Sequence, residues 1–328
     1  MKKLTVVLIV VCVVLLNIDH FVQAHSSSLT PYQKTILSTP IPSPTILLTP
    51  TVVPSAPNIG RLIMTISCSH DGCVRFYQIN TDGSDLVQPM GSSGGAIPEP
   101  SPNGEQYTYS NLRDPVICIQ PTVGCTLKTP GLVPGFPVWL PDGQHIGFTN
   151  ISTTKVLSTY IIKVQDGSLK QLPLPENSMF LSWSPDGSKM VFTRFASSIW
   201  SQPPAHLFIS AADGSQISQL TTGNYVDSFA VWSPDSKQIA FIRQGEDRYK
   251  TTIHLVNSDG TNLHPLRGEA FNDSSPSWSP DGQYLVFIAQ GKEIYIIHPD
   301  GTGLALVPAK VEAPHGIDFV VWIPNPSR

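Results

Sequence analysis

Charge is scarce in this chain of 328 residues: Asp, Glu, Lys and Arg together make up 13%, and 20 basic against 24 acidic residues leave a net charge of −4. No basic run stands out, so the chain lacks the electrostatic footprint that a nucleic-acid partner needs. Catalytic fingerprints are scarce as well. There is no GxSxG elbow, no Walker loop and no dinucleotide motif, and the GSSGG stretch at Gly91 reads as a connector rather than a phosphate loop. The histidines His206, His254 and His298 lie seven, five and two residues before their nearest Asp-Gly turns. Such unequal positions would not converge, so they read as isolated surface residues, and neither a catalytic residue nor a metal set is assigned. Beyond the first residues, no stretch has the ~20 consecutive apolar residues that a membrane span requires.

What is present in quantity is one repeated hairpin. The stretch SWSPDGSKMVFTR, Ser182 to Arg194, runs an apolar strand through Trp183 into Pro185, Asp186 and Gly187, then starts a second strand. Proline fixes φ, aspartate bonds the backbone ahead of it, and glycine takes the positive φ that closes the turn. Copies begin at Val138, Val231 and Ser277, a weaker one at Glu99, and a truncated VWIPNPS at Val321. The markers Trp139, Trp183, Trp232, Trp278 and Trp322 recur every 44 to 49 residues, and Asp82, Asp166, Asp213, Asp259 and Asp300 each open an Asp-Gly turn. A strand-and-turn repeat of this period predicts an all-β protein, a β-propeller with one four-stranded blade per repeat. The first repeat lacks its own marker strand, and the last marker strand has no blade after it. These two defects cancel if the C-terminal strand completes the first blade, giving a closed ring of six blades with no free edge.

These repeats resemble the TolB-like β-propeller repeat, WSPDG followed by an IAF-type strand and an IY-type strand ending in DG. The copies at Trp183, Trp232 and Trp278 match closely; Leu140, Ser236, and Pro100 with Asn103 are departures. The resemblance spans Arg61 to Ile323. It implies a propeller without the N-terminal α/β domain of TolB, and it implies protein binding in the cell envelope. The same repeat also builds the propellers of prolyl-oligopeptidase-type hydrolases and of some lyases.

The first 24 residues carry two lysines, an apolar run from Leu4 to Leu16 and a terminal Ala24, the pattern of a secretory signal peptide. An uncleaved anchor is the rival reading, and would be the chain's one contact with a membrane. Residues 25–59 are rich in Ser, Thr and Pro and read as an extended linker, with residues 60–328 as the propeller. Export suits the cysteines. Cys68 with Cys73 and Cys118 with Cys125 each flank a short turn and are expected as disulfides; zinc would need closer pairs or histidines that are missing.

Phe136, Phe180, Phe229 and Phe319 each fall three residues before a marker tryptophan, a spacing that favours packing between blades over an aromatic binding stripe. The connectors leading into the inner strands carry Glu176, Asp227, Asp273, His315 and Asp318. These residues would gather at one mouth of the central channel, where they could hold a cation or a basic peptide end; no other cofactor is expected. The sequence therefore points to a secreted or tethered, monomeric, noncatalytic module that binds a protein or peptide at its mouth. An envelope enzyme (a carbohydrate lyase or a peptidase-related propeller) and a structural or sensor ectodomain on a stalk are the alternatives.

Overall fold

The computed structural model describes residues 53–67, 74–93, 98–111, 116–120, 124–151, 157–196, 204–247, 250–268, 272–310 and 316–324. All of its regular structure there is strand. The first sheet holds β1 (Arg61–Ser67), β2 (Val74–Asn80) and β3 (Val87–Ser93). The second is β4 (Glu99–Pro100), β5 (Tyr107–Asn111), β6 (Val116–Gln120) and β7 (Gly124–Lys128), and the third is β8 (Pro134–Trp139), β9 (His145–Asn150), β10 (Ser158–Lys163) and β11 (Leu169–Gln171). Two further repeats follow: β12 (Ser178–Trp183), β13 (Lys189–Phe195), β14 (Ala205–Ala211) and β15 (Ser218–Gln219), then β16 (Val226–Trp232), β17 (Gln238–Gln244), β18 (Thr251–Asn257) and β19 (His264–Pro265). The last sheet is β20 (Asp273–Trp278), β21 (Leu285–Ala289), β22 (Glu293–Ile297) and β23 (Ala305–Val307). Finally β24 (Phe319–Trp322) returns to pair antiparallel with β1, from Leu62 opposite Trp322 to Thr65 opposite Phe319.

The expectation of six separate blades is corrected on one point. Among the described residues there are four separate four-stranded sheets, and the remaining eight strands form one continuous sheet. A single parallel pair, Ala205 with Val226, joins them. The cause is a short return: β15 is only two residues long and pairs with β14 at Phe208 and Ile209, which leaves the Ala205 end of β14 open to β16.

Sheet packs on sheet all the way round. Ile63, Tyr107 and Ile323 join the first sheet to the second, and Ile117 and Ile119 meet Trp139 and Phe148 of the third. Ile161 meets Trp183 and Phe192, Leu207 meets Trp232 and Phe241, and Leu255 meets Trp278 and Phe287. Val286 and Ile296 then meet Leu62 and Trp322, closing the ring. The strands are apolar at successive positions because both of their faces are covered. Gly147 shows how tight the fit is: a Cβ there would lie 2.2 Å from the Trp183 ring.

The turns behave as the sequence implies. In three repeats a serine beside the tryptophan, Ser184, Ser233 or Ser279, donates to the turn aspartate two residues on and accepts the backbone N–H five residues on. In the Asp-Gly turns the carboxylates of Asp82, Asp213, Asp259 and Asp300 accept from the hydroxyl and N–H of the residue two ahead, and these bonds hold their carboxyls below the ordinary range.

The linker expected up to residue 59 ends earlier, for the compact unit begins at Ser55. Ser55 forms a parallel bridge with Leu306, Ala56 is buried in the apolar cluster of the last and first sheets, and the Thr81 hydroxyl donates to Pro57 O at 2.6 Å. Cys118 and Cys125 form a disulfide between β6 and β7. Cys68 and Cys73, like residues 1–52, lie outside the described residues.

Candidate functional site

Five innermost strands, β8, β12, β16, β20 and β24, run toward a tryptophan, while β4 ends at Pro100. In four of them the register slips on the way: between Gly135 and Val138, Met179 and Ser182, Ser228 and Val231, and Ser274 and Ser277. At three of these slips the residue three before the tryptophan takes a positive φ. Phe136, Phe229 and Ser275 take φ of 51°, 53° and 54° there. That region is disfavoured for a residue as bulky as phenylalanine, and such strain persists only where the surroundings enforce it.

Phe136 and Phe229 pack between blades as expected, against Leu157, Met179, Phe195 and Ala205, and they also meet other rings. The Phe229 ring lies 6.4 Å from Phe136, edge to face, and 6.2 Å from Phe319. Their strands β8, β16 and β24 belong to repeats that do not follow one another in the ring, so the rings meet across the axis. All three remain half-buried and form an aromatic floor below the mouth. The side chain of Phe180 lies outside the described residues. Ser275 instead binds the backbone of the closing strand: its Oγ donates to Val320 O at 2.9 Å and accepts from Val320 N at 3.0 Å.

Asp227 and Asp273 start their strands at the rim above this floor, as their spacing implies, but neither stands open. Asp227 is fully buried and accepts from Arg243 Nε at 2.7 Å and Nη2 at 2.8 Å. Arg243 in turn lies over the Tyr225 ring at 4.4 Å and the Phe241 ring at 5.4 Å. Asp273 is 1% exposed and accepts from both Nε and Nη2 of Arg267, whose guanidinium lies 4.9 Å from the Phe287 ring centroid. Burial outweighs that pair and pushes the Asp273 carboxyl above its ordinary value. Asp318 is half-buried just ahead of β24, and its N–H donates to Thr65 O. Glu176 is exposed, and His315 lies outside the described residues.

Spacing alone did not disclose the arginines that hold Asp227 and Asp273. Arg243 stands opposite Asp227 in the β16–β17 register, which the repeat itself could have disclosed. Arg267 sits in a connector, where no periodic signal marks it. The histidines are also less exposed than expected. Burial and the Arg243 charge lower His254 to about 4, and the buried Nδ1 of His206 has no hydrogen-bond partner. Among the described residues, no three of His, Cys, Asp and Glu come together as metal ligands would.

A closed ring of repeated four-stranded units whose innermost strands meet at a central mouth defines a β-propeller. The chain belongs to the TolB β-propeller family: the profile of the TolB beta propeller domain matches residues 64–314. Among solved structures it is similar to TolB from Acinetobacter baumannii, at 19% identity and a TM-score of 0.67, over 84% of this chain and 69% of that one. It is also similar to a chain of the nidogen/laminin complex, at 11% identity and 0.60, over 82% and 100%. A third likeness is to oligogalacturonate lyase from Vibrio parahaemolyticus, at 11% and 0.52, over 79% and 82%. No curated protein matches the chain in sequence. Among the described residues there is no counterpart of an α/β domain, and no helix is long and apolar enough to cross a membrane.

Proposed function

We propose that this chain is an extracytoplasmic, noncatalytic binding module that receives a protein or peptide at the mouth of its propeller. The observation that carries the reading is the aromatic floor. Three half-buried phenylalanine rings, two of them on strained backbone, occupy the axis where polar or small residues would leave a channel. Aromatic anchors in a recess are what a protein or peptide hot spot requires. Asp227 and Asp273 take part as neutralised pairs rather than as free charges, which leaves Glu176 and Asp318 as the described residues assigned to partner contact. Family membership, the Cys118–Cys125 disulfide and the N-terminal signal pattern support a location outside the cytoplasm. In this reading the ring counts as six repeats, the long sheet supplying two of them.

The test is a crosslinking pull-down from the native envelope, followed by affinity measurement on the partner recovered. Replacing Phe136 and Phe229 with leucine keeps the floor apolar and removes the rings. Affinity should fall at least about tenfold, a loss of about 1.4 kcal/mol. Unchanged affinity with an unchanged melting curve would move the partner off the mouth.

A further inference from the structure

The strand registers place four polar side chains in one layer between the third sheet and the repeat that starts with β12. One layer deeper the packing is known: Gly147 pairs with Ile161, Phe192 pairs with Phe208, and Ile161, Trp183, Phe192 and Phe208 share one apolar cluster, with the Trp183 ring against Gly147. Side chains two residues apart on a strand point to the same face. One such step toward the mouth sets Thr149 and its partner Thr159 on one sheet facing Arg194 and its partner His206 on the other. Thr149 is 0% exposed and Thr159 1%, yet among the described residues neither hydroxyl has a hydrogen-bond partner, and neither has the buried Nδ1 of His206. Buried polar groups left in that condition are rare and call for a partner. Arg194 is exposed at the rim, 5.7 Å from the Phe208 ring centroid, and forms no ion pair among the described residues.

The next interface round the ring shows what chemistry completes such a layer. Thr193 and Arg243 hold there the places of Thr149 and Arg194, ten and eleven residues after their tryptophans. Asp227 closes that layer: its carboxylate takes the Arg243 fork, and its carbonyl takes the Thr193 hydroxyl at 3.1 Å. In the preceding repeat the residue at the place of Asp227 is Ser178, whose hydroxyl is committed to Pro175 O at 2.7 Å. Residues 152–156 and 197–203, which follow Thr149 and Arg194 in sequence, include no Asp or Glu, and Glu176 is exposed without an ion pair among the described residues. One repeat thus carries an arginine layer with its carboxylate, and its neighbour carries the layer alone.

We propose that Thr149, Thr159, Arg194 and His206 form a binding site for a carboxylate supplied from outside the fold, either a small free anion or the carboxyl group of a peptide. Arginine offers the bidentate fork at the rim, and the two hydroxyls and the imidazole add donors deeper between the sheets. The site goes beyond the mouth reading and does not involve the aromatic floor, so either can fail while the other stands.

The purified chain is melted at pH 7.5 in sodium acetate and in sodium chloride of equal ionic strength. Acetate should raise Tm saturably above chloride, and Arg194→Gln should weaken the acetate response about tenfold. Ser178→Asp, which copies the carboxylate of Asp227, should raise Tm by about 2–4 °C without acetate and abolish the response to it. A short peptide with a free C-terminus that outbinds acetate, with its amide inactive, assigns the site to peptides; a response to acetate alone assigns it to free anions. Identical melts in acetate and chloride with neither peptide bound, or an acetate response intact in Arg194→Gln, would overturn the proposal. If Ser178→Asp does not fold, Thr149→Val with Thr159→Val decides, since loss of the response supports the site and its retention refutes it.

Discussion

Asp227 and Asp273 stand five residues before their tryptophans, both are buried, and both are held by an arginine, yet the two arginines come from different parts of the chain. Arg243 is on β17, directly opposite its carboxylate in the same repeat, and is clasped between Tyr225 and Phe241. Arg267 reaches Asp273 from the connector after β19 and covers Phe287 on the next sheet. The repeat thus fixes where a carboxylate stands, because that position is set by the strand and its tryptophan. Its counter-ion is recruited from whichever segment passes near. A charge buried at a fixed place tolerates variation in the source of its partner but not the loss of it.

The largest effect should come from breaking the strand-borne pair. Arg243→Met leaves Asp227 unpaired in a fully buried position and should cost about 3–5 kcal/mol in a urea melt. A loss under about 1 kcal/mol would show that the guanidinium contributes packing rather than charge.

Arg267→Met should cost less, about 1–3 kcal/mol, because Asp273 already has a raised carboxyl and can take up a proton when its partner goes. The sign follows from that shift. A carboxyl whose folded value lies above its unfolded one contributes stability that is present below the unfolded value and lost as pH rises through the folded one. Without Arg267 the folded value climbs further, so the deficit of the variant should be larger at pH 7.5 than at pH 4.5. A deficit independent of pH would contradict the assignment of the charge to Asp273.

Glu99 supplies the third case, a carboxyl that burial alone pushes up to about 7. The wild-type protein should therefore lose stability as pH rises from the ordinary glutamate value of 4.5 toward about 7, and Glu99→Gln should flatten that slope. Parallel pH profiles for the two proteins would place the titrating group elsewhere.

Much of this architecture was legible before any coordinates. Tryptophan spacing, the Pro-Asp-Gly and Asp-Gly turns and the closing VVW strand act through local rules of strand and turn, and the pairing of Leu62 with Trp322 follows from them. The packing of Phe136 and Phe229 between blades was legible, but their meeting with one another was not, for a physical reason. A bulge that puts Phe136 and Phe229 at positive φ reverses the face a side chain serves, and alternation cannot announce it. The join at Ala205 and Val226 was equally hidden, since it depends on how short β15 is rather than on any residue it contains. At the rim, spacing found Asp227 and Asp273 but took them for exposed charges, because burial of a turn-proximal carboxylate depends on an arginine distant in sequence. Ser178 was unremarkable in sequence and gains meaning only beside Asp227.

The pairing of β24 with β1 also sets an order in time. The first sheet waits for its innermost strand until the last residues of the repeat region have been made, so Leu62 stays without its neighbour while every later sheet can assemble from strands adjacent in sequence. Contacts of such long sequence separation carry a large loop-closure cost and form slowly. Folding should thus run from the middle of the chain outward, with the ring sealing in a final, concentration-independent step. A circular permutant that joins the chain beyond Ile323 to the chain ahead of Ser55 through a short linker, and opens it between two central sheets, would move the slow step while keeping every strand pairing.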